Sequence, residues 1–510
     1  MNISTFIAGG DTGKFKFDNP LMVEIDKFFK SNFVEAYLVG GFVRDYIMDR
    51  PTKDLDIVIC GPYPNIAHEL ALELNARLVL LDGEKAVYRL IIPTVEADEE
   101  SGGIVQLDLS ITEDDILTDL SRRDFTVNSI ASPLAKFISG VEVSDFIDPY
   151  GGIEDLRNLT LKCTALDIFQ RDPLRLIRAV RLIAQLGFDL DNTTRDLISE
   201  EAQMISSASH ERVRDEFLRI ISQPNPSKYL RVLDQLGLLS IIIPELDFGR
   251  GVIQPKEHYW DVFNHCIETP SWIDAVISGG KEILGDSVLS KIPWSDYLNK
   301  YFYEEFSDGF SRATMLKVAG LLHDIAKPNT KTIDISTGRV RFIGHDKEGS
   351  ELGKNISRRL RFSNKGIDYI STLIQHHLRP TQMSHGDTMP TDKAIYRYYR
   401  DLKEFSVDIL YLNVADYLAA KGPQINDIED WTRHCELIGH IFTHKLSESI
   451  GVSKLDRLVD GHMVIKELGI EQGPIVGHIL ESIHEAQAAG EVKDVKDAMA
   501  LARVLVNWKI

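Results

Sequence analysis

The stretch Gly40 to Ile57, GGFVRDYIMDRPTKDLDI, carries two glycines, a short amphipathic segment and two aspartates one residue apart. Before it, Glu35 to Val39 is β-like and stops at Gly40-Gly41; Phe42 to Asp49 reads as a helix and Leu55 to Ile59 as a second strand, closed by Gly61-Pro62. A strand that passes through two glycines into a helix presents backbone N–H groups with no side chains in the way, a ready place for phosphate oxygens. Alone, the pair is more simply a tight turn. Asp54 and Asp56 alter that reading, because residues two apart on a strand share a face while Leu55 points to the other. Adjacent carboxylates repel unless a cation lies between them, and magnesium, held by carboxylates and nucleotide phosphates, is the usual one. Asp-x-Asp also occurs in ordinary loops, so a third carboxylate matters. In VQLDLS, Val105, Leu107 and Leu109 alternate with Gln106, Asp108 and Ser110, which sets Asp108 opposite the apolar residues. Neighbouring strands would gather Asp54, Asp56 and Asp108 around two metal ions, one lowering the pKa of an attacking hydroxyl and the other steadying a departing pyrophosphate. Glycines for a triphosphate and aspartates for metals together point to nucleotidyl transfer.

At 510 residues the chain exceeds a single core, and roughly two to four domains are expected. Hydrophobic residues make up 44% and charged residues 26%, ordinary for a globular protein, and no uncharged apolar run is long enough for a membrane span. The start, MNISTFIAGGDTGKFKF, lacks the basic, apolar and small-residue regions of a signal peptide, so a cytoplasmic location is expected. Cys60, Cys163, Cys266 and Cys435 form no CxxC pair and read as buried free thiols. A formal charge of −20 argues against nonspecific coating of polyanions and leaves room for a local basic track.

Further strands are expected at Arg77 to Leu81, Val87 to Ile92 and Ile104 to Leu109, with the acidic turn EADEESGG between the last two. Helical periodicity dominates from Asp155 onward. A region punctuated by Pro224, Pro226, Pro244 and Pro255 divides two helical blocks, and a third boundary falls near Gly422-Pro423. The expected fold class is α+β. It comprises a small mixed α/β head (1–140), an all-helical neck (141–255), a helical body (256–422) and a helical tail (423–510). In RDPLRLIRAVRLIAQ, read as one helix, Arg171, Arg175 and Arg178 share a narrow sector with Asp172 at its edge, while Leu176, Ile177, Val180, Ile183 and Ala184 supply the packing face. Such a cluster of like charge is either a solvated face or the mark of an anionic partner.

Five stretches, LVGGFVRDYIMDRPTKDLDI, DLSRRDFTVNSIA, DPYGGIEDL, RDPLRLIRAVR and ERVRDE, resemble in order the motifs of class II tRNA nucleotidyltransferases, the CCA-adding enzymes and their bacterial poly(A) polymerase relatives. The resemblance implies that Gly40, Gly41 and Arg44 contact the triphosphate, that Asp54 and Asp56 bind catalytic magnesium, and that Asp108 is the third carboxylate. It implies that Arg123, Asp124 and Asn128 recognise the ribose, and that Asp172 and Arg175, with Arg178 nearby, read the Watson–Crick edge of the incoming base. That logic is physically sound, since Asp accepts from an exocyclic amine and Arg donates to a ring nitrogen or carbonyl. Arg171 departs from the pattern, which has an acidic residue there. Glu211, Arg212 and Glu216 match a motif that braces the base-reading helix.

Beyond residue 255, His265, His323-Asp324, His345, His376-His377 and Asp416 lie in or beside helix-period segments, ligands of the kind a transition metal takes. This block resembles the HD superfamily of metal-dependent phosphohydrolases. By that resemblance His265, His323, Asp324 and Asp416 are a minimal set of ligands for a divalent transition metal, and His345 with His377 completes a two-metal variant. The segment from Lys454 to Ile510 resembles the family's tRNA-contacting tail, and KNISRRLRF and RYYR (Arg397 to Arg400) are further candidate RNA contacts or plain amphipathic surface. The expected activity is addition of CMP, AMP or both to the 3′ end of tRNA from CTP and ATP. The alternatives are poly(A) tailing and an HD phosphohydrolase whose N-terminal half positions RNA.

Overall fold

A computed structural model describes residues 20–52, 54–83, 86–93, 104–279, 285–384, 388–422, 427–449 and 457–507. The N-terminal stretch MNISTFIAGGDTGKFKF, the EADEESGG turn, Pro423 and Lys454 lie outside the described residues. The chain divides into two compact units, Met1–Ala208 with Gln235–Leu238, and Ser209–Asp234 with Leu239–Ile510.

Among the described residues the first unit is built on a six-stranded sheet, of β1 (Ala36–Val39), β2 (Asp54–Cys60), β3 (Arg77–Asp82), β4 (Val87–Pro93), β5 (Ile104–Thr112) and β6 (Ala131–Pro133), beside a short parallel pair, Thr160–Leu161 with Asp189–Leu190. Their order is β3-β4-β5-β2-β1-β6, antiparallel throughout except for the central β2–β5 pair. Five of these strands follow from apolar runs bounded by turn residues. The sixth is only three residues long, too short to show a period of two, and it exists because Leu38 and Val39 pair with Ser132 and Ala131. Pro133 ends it at the sheet edge, where a missing N–H costs least. Leu38, Val58, Leu107 and Leu109 are fully buried, so the centre of the sheet is also the centre of the core.

One sequence expectation fails here. Arg171, Arg175 and Arg178 do not share a helix, because Pro173 breaks the segment. Proline lacks an N–H and disfavours helical backbone at the residue before it, and Asp172 is indeed extended at φ −151, ψ 100. Arg171 closes the short helix Ile168–Arg171 and pairs with Asp167 at 2.8 Å, while the long helix begins at Arg175 and runs to Leu186. Its packing face is as expected: Leu176, Ile177, Val180, Ile183 and Ala184 are all buried.

Among the described residues the second unit is mainly helical, with two short hairpins, Glu305–Ser307 with Phe310–Ser311 and Lys331–Ile333 with Val340–Phe342. Three glycines let its central helices approach closely. A Cβ on Gly320, in helix Arg312–Leu322, would collide with Ile273 of helix Val262–Ser278. In helix His345–Arg359, a Cβ on Gly353 would lie 2.5 Å, and one on Gly349 3.1 Å, from Ile374 of helix Asn364–His376. The terminal helices Gly461–Leu468, Pro474–Ala488 and Val495–Asn507 enclose their own apolar core around Val464, Ile479, Ile483, Ala498 and Ala502.

RYYR proves to be a docking element for that tail. Tyr398 and Tyr399 are buried and donate to the carbonyls of Ser406 and Ile441. Arg397 holds both oxygens of Glu485 at 2.8 and 2.6 Å, and Arg400 reaches Glu481 at 2.7 Å and Glu485 at 2.9 Å. Sequence shows the arginines, but the carboxylates that answer them arrive more than 80 positions later. The Arg397 and Arg400 bonds hold the Glu485 carboxyl below its ordinary value of 4.5, against the opposing effect of burial. Its stabilising contribution is therefore complete above about pH 4.5 and is lost as pH falls through the lowered folded value. Glu485→Ala is expected to loosen the tail by about 1–2 kcal/mol, less than a fully buried pair because Arg397 is 49% exposed. Faster hydrogen exchange confined to the three tail helices checks it.

Candidate active site

In the head, the β2–β5 register makes Asp56 and Asp108 direct partners on adjacent parallel strands, with Asp54 one pleat earlier opposite Gln106. Partners in register share a face, so the carboxylates of Asp56 and Asp108 stand side by side. The side chain of Asp54 lies outside the described residues. The helix Gly40–Ile47 starts directly after β1. A Cβ on Gly40 would sit 2.7 Å from Arg123 Nη1 and 3.5 Å from Asp56 Oδ2, and one on Gly41 3.6 Å from Arg44 Nη2 and 3.7 Å from Asp56 Oδ2. Gly40 also has φ +65, a conformation that glycine adopts freely. The glycine corner is thus bare because two arginines and an aspartate crowd against it.

Sequence reasoning missed Arg89. On β4 it is the register partner of Asp108, and its Nε and Nη2 donate to the two Asp108 oxygens at 2.7 and 2.8 Å. Arg89, Asp108 and Asp56 consequently form one row across three strands. Its signal was a lone charge inside the apolar run VYRLII. The oxygen-rich set of Asp56 and Asp108 suits a hard cation such as magnesium.

Four of the residues expected around the nucleotide, Arg44, Asn128, Asp124 and Arg178, form a single chain of hydrogen bonds. Arg44 Nη1 donates to Asn128 Oδ1 at 2.7 Å, Asn128 Nδ2 donates to Asp124 Oδ1 at 3.1 Å, and Arg178 Nη1 donates to Asp124 Oδ2 at 3.4 Å. Arg44 is also bidentate on Asp45, at 2.9 Å for each bond. Burial pushes the Asp124 carboxyl up, but the Arg178 guanidinium and the Asn128 amide outweigh it and hold the group below the usual range. Arg123 pairs with Asp119 at 2.8 Å. Asp172 Oδ1 accepts from Leu174 N at 3.2 Å, and Arg175 donates to the carbonyls of Arg122 at 2.8 Å and Ile168 at 3.4 Å. Burial lowers the pKa of Arg175. The motif residues Glu211 and Arg212 are exposed and Glu216 is buried, all on helix His210–Ile221 of the second unit.

In the second unit every histidine and aspartate expected at the HD-like centre converges, except His376. One group is His265, His323, Asp324 and Asp416, and a second is Asp324, His345 and His377, each with ligand atoms within 4.8 Å of one another. Asp324 belongs to both. Its Oδ2 faces His265 at 3.3 Å and His323 at 3.2 Å, while Oδ1 faces His345 at 3.3 Å and His377 at 3.7 Å. Asp416 Oδ1 lies 3.0 Å from His265 and 3.3 Å from His323. His323, His345 and His377 each turn Nδ1 to a backbone carbonyl three residues back, at 2.7, 2.6 and 2.7 Å, which aims Nε2 inward. The Nε2 atoms of His345 and His377 are buried with no hydrogen-bond partner, as expected of atoms built to ligate. Burial opposes charge at His323, yet Asp324 and Asp416 raise it to about 10; burial takes His377 down to about 4, keeping its lone pair available. Lys327, also buried, reaches Asp324 Oδ2 at 2.5 Å and Gln254 Oε1 at 2.7 Å. The donor set of imidazoles and carboxylates fits divalent transition metals.

The sequence profile of the Poly A polymerase head domain, a class of nucleotidyltransferase head, matches residues 36–162. Profiles for the probable RNA and SrmB-binding site of polymerase A and for the HD domain match 187–249 and 302–421. An A-adding tRNA nucleotidyltransferase of Deinococcus radiodurans is 30% identical over 481 residues, 92% of this chain and 95% of that one. A CC-adding tRNA nucleotidyltransferase of Thermus thermophilus is 28% identical over 93% and 94% of the two chains. The protein belongs to the tRNA nucleotidyltransferase family. Its fold matches a CCA-adding enzyme solved with CTP (TM-score 0.61, 19% identity, 100% and 99% of the two chains). It also matches the Thermotoga maritima CCA-adding enzyme complexed with tRNA CCA (TM-score 0.59, 19% identity, the same coverage). Among the described residues no helix is long and apolar enough to cross a membrane.

Proposed function

We propose that the chain extends the 3′ end of tRNA with CMP, AMP or both, taking CTP and ATP and releasing pyrophosphate in the cytoplasm. The observation that carries this reading is the placement of Asp56 beside Asp108 against the bare Gly40-Gly41 corner. The RNA 3′-oxygen forms a bond to the α-phosphorus, the bond to the β-phosphate oxygen breaks, and the hydroxyl proton leaves with solvent. Asp54, Asp56 and Asp108 hold magnesium, which when bound makes the hydroxyl more acidic and neutralises the leaving pyrophosphate. Gly40 and Gly41 admit the triphosphate and Arg44 meets its charge. Arg123, Asp124 and Asn128 address the ribose. Asp172 and Arg175 address the base edge: cytosine and adenine both offer an exocyclic amine to a carboxylate. The carbonyls of Arg122 and Ile168, which accept from Arg175, support a preset direction for its guanidinium.

A second activity at the other centre has its own support, the sharing of Asp324 between two ligand groups. There His265, His323, Asp324 and Asp416 hold one divalent transition metal and Asp324, His345 and His377 another, a pair that when bound supplies an activated water to a phosphate ester. The transfer reading is tested by offering tRNA ending at the discriminator base, at C or at CC, with each labelled triphosphate in turn. Incorporation that stops at or before CCA is the expected result. A long run of A on every acceptor means poly(A) tailing and overturns it.

A further inference from the structure

In the second unit, the start of helix His210–Ile221 and the last turn of helix His345–Arg359 border a cleft of about 850 Å3, lined by Ser209, His210, Glu211, Arg358, Arg359 and Arg361. Three guanidiniums face one carboxylate. Arg359 is committed to structure: it holds both Glu245 oxygens at 2.5 and 2.8 Å, and its carbonyl lies 2.7 Å from His210 Nδ1, tying the two walls together. Arg358 and Arg361 are exposed, and among the described residues neither forms an ion pair within 4 Å; Arg358 donates to the amide oxygen of Asn355 at 3.4 Å and lies in the field of the exposed Glu351.

Basic side chains in the last turn of a helix ordinarily answer its dipole, which accounts for Arg358 and Arg359. Arg361 lies past the helix end and needs another reason. Its amide bonds to Arg358 O at 3.1 Å and that of Phe362 to Ser357 O at 3.0 Å, the closing turn that glycine favours, and its φ is +61. Left-handed backbone strains an L side chain and costs glycine nothing, so folding alone is better served by glycine there. Arg214 pins the corner from behind by donating to the Arg361 carbonyl, its own charge met by Asp215 at 2.7 Å and Asp308 at 3.5 Å. On a chain of net charge −20, the exposed guanidiniums of Arg358 and Arg361, together with Arg359, exceed what the negative C-terminal end of helix His345–Arg359 calls for and make the local field positive.

We propose that this cleft grips backbone phosphates of the RNA substrate, with Arg358 and Arg361 as the donors. Guanidinium forks match phosphate oxygens in geometry and charge. The inference rests on the tRNA reading above and extends RNA contact from the profile-matched segment 187–249 to residues 358–361. Its test is tRNA binding by filter retention across a salt series, comparing the full-length wild type with Arg361→Gly alone and with Arg358→Ala added. Arg361→Gly relieves the backbone, so its melting temperature is expected to equal or exceed wild type, which removes misfolding as an explanation. The double variant is expected to bind at least about tenfold more weakly near physiological salt. The slope of log affinity against log salt is expected to shrink by about 1.5, since each lost phosphate contact removes about 0.7 to 0.9. Unchanged affinity, or weaker binding with an unchanged slope, overturns the cleft. Failure of the wild type itself to bind and extend tRNA overturns instead the reading on which it rests.

Discussion

Asp56→Ala is expected to lower nucleotide addition to tRNA by more than about 100-fold. Partners in a metal's outer shell already cost 10–100-fold when removed, and a direct ligand exceeds them. The same change is expected to move stability by no more than about 1 kcal/mol, because the repulsion between Asp56 and Asp108 that it removes offsets the loss of the contacts Asp56 makes. Loss of activity without a matching loss of stability separates a metal-holding residue from a structural one. Asp108→Asn provides the contrast, for it also strips Arg89 of the partner it holds through two bonds. That variant should lose activity and about 0.5–1 kcal/mol of stability, the discounted worth of a partly exposed pair. Single-turnover incorporation of labelled CMP or AMP, run beside thermal melting, checks both. Near-wild-type addition by Asp56→Ala would remove the basis of the proposed transfer site.

Asp324→Ala is expected to empty both ligand groups of the helical body at once, because that residue alone belongs to each. Elemental analysis after dialysis should fall from two divalent ions per chain to none, and any phosphoester hydrolysis should fall with it by more than about 100-fold. His345→Ala, by comparison, should cost one ion only. Stability should also drop, by about 3 kcal/mol, since Lys327 and His323 are buried and lose the carboxylate that balances them. Addition to tRNA measured at a temperature where the variant is folded should persist, which would make the two centres chemically independent. Retention of two ions by Asp324→Ala rules out a shared ligand.

Much of both centres was legible without coordinates. Five of the six head strands, the glycine corner, the pairing of Asp56 with Asp108, and the convergence of His265, His323, Asp324, His345, His377 and Asp416 follow from local spacing and from family resemblance. Each depends on short segments whose own period or motif declares which face their residues occupy, even where the segments themselves lie far apart. Where the reading failed, a local rule was overlooked or a distant partner intervened. Pro173 ended the helix that Arg171 was assigned to, a restriction of proline that helical periodicity alone does not register.

Amino-acid order by itself determined the alternation that sets carboxylates on one face of a strand, the bare turn before the first helix of the head, and the ligand types of the second centre. Tertiary structure alone decided that Arg89 clamps Asp108, that Arg44, Asn128, Asp124 and Arg178 share one network, and that Arg397 and Arg400 hold Glu485. The physical reason is that a charged side chain carries no mark of its partner. Whether it meets solvent, an ion or a distant opposite charge is settled only when packing brings remote segments within a few ångströms, where the Coulomb and hydrogen-bond energies become large enough to choose.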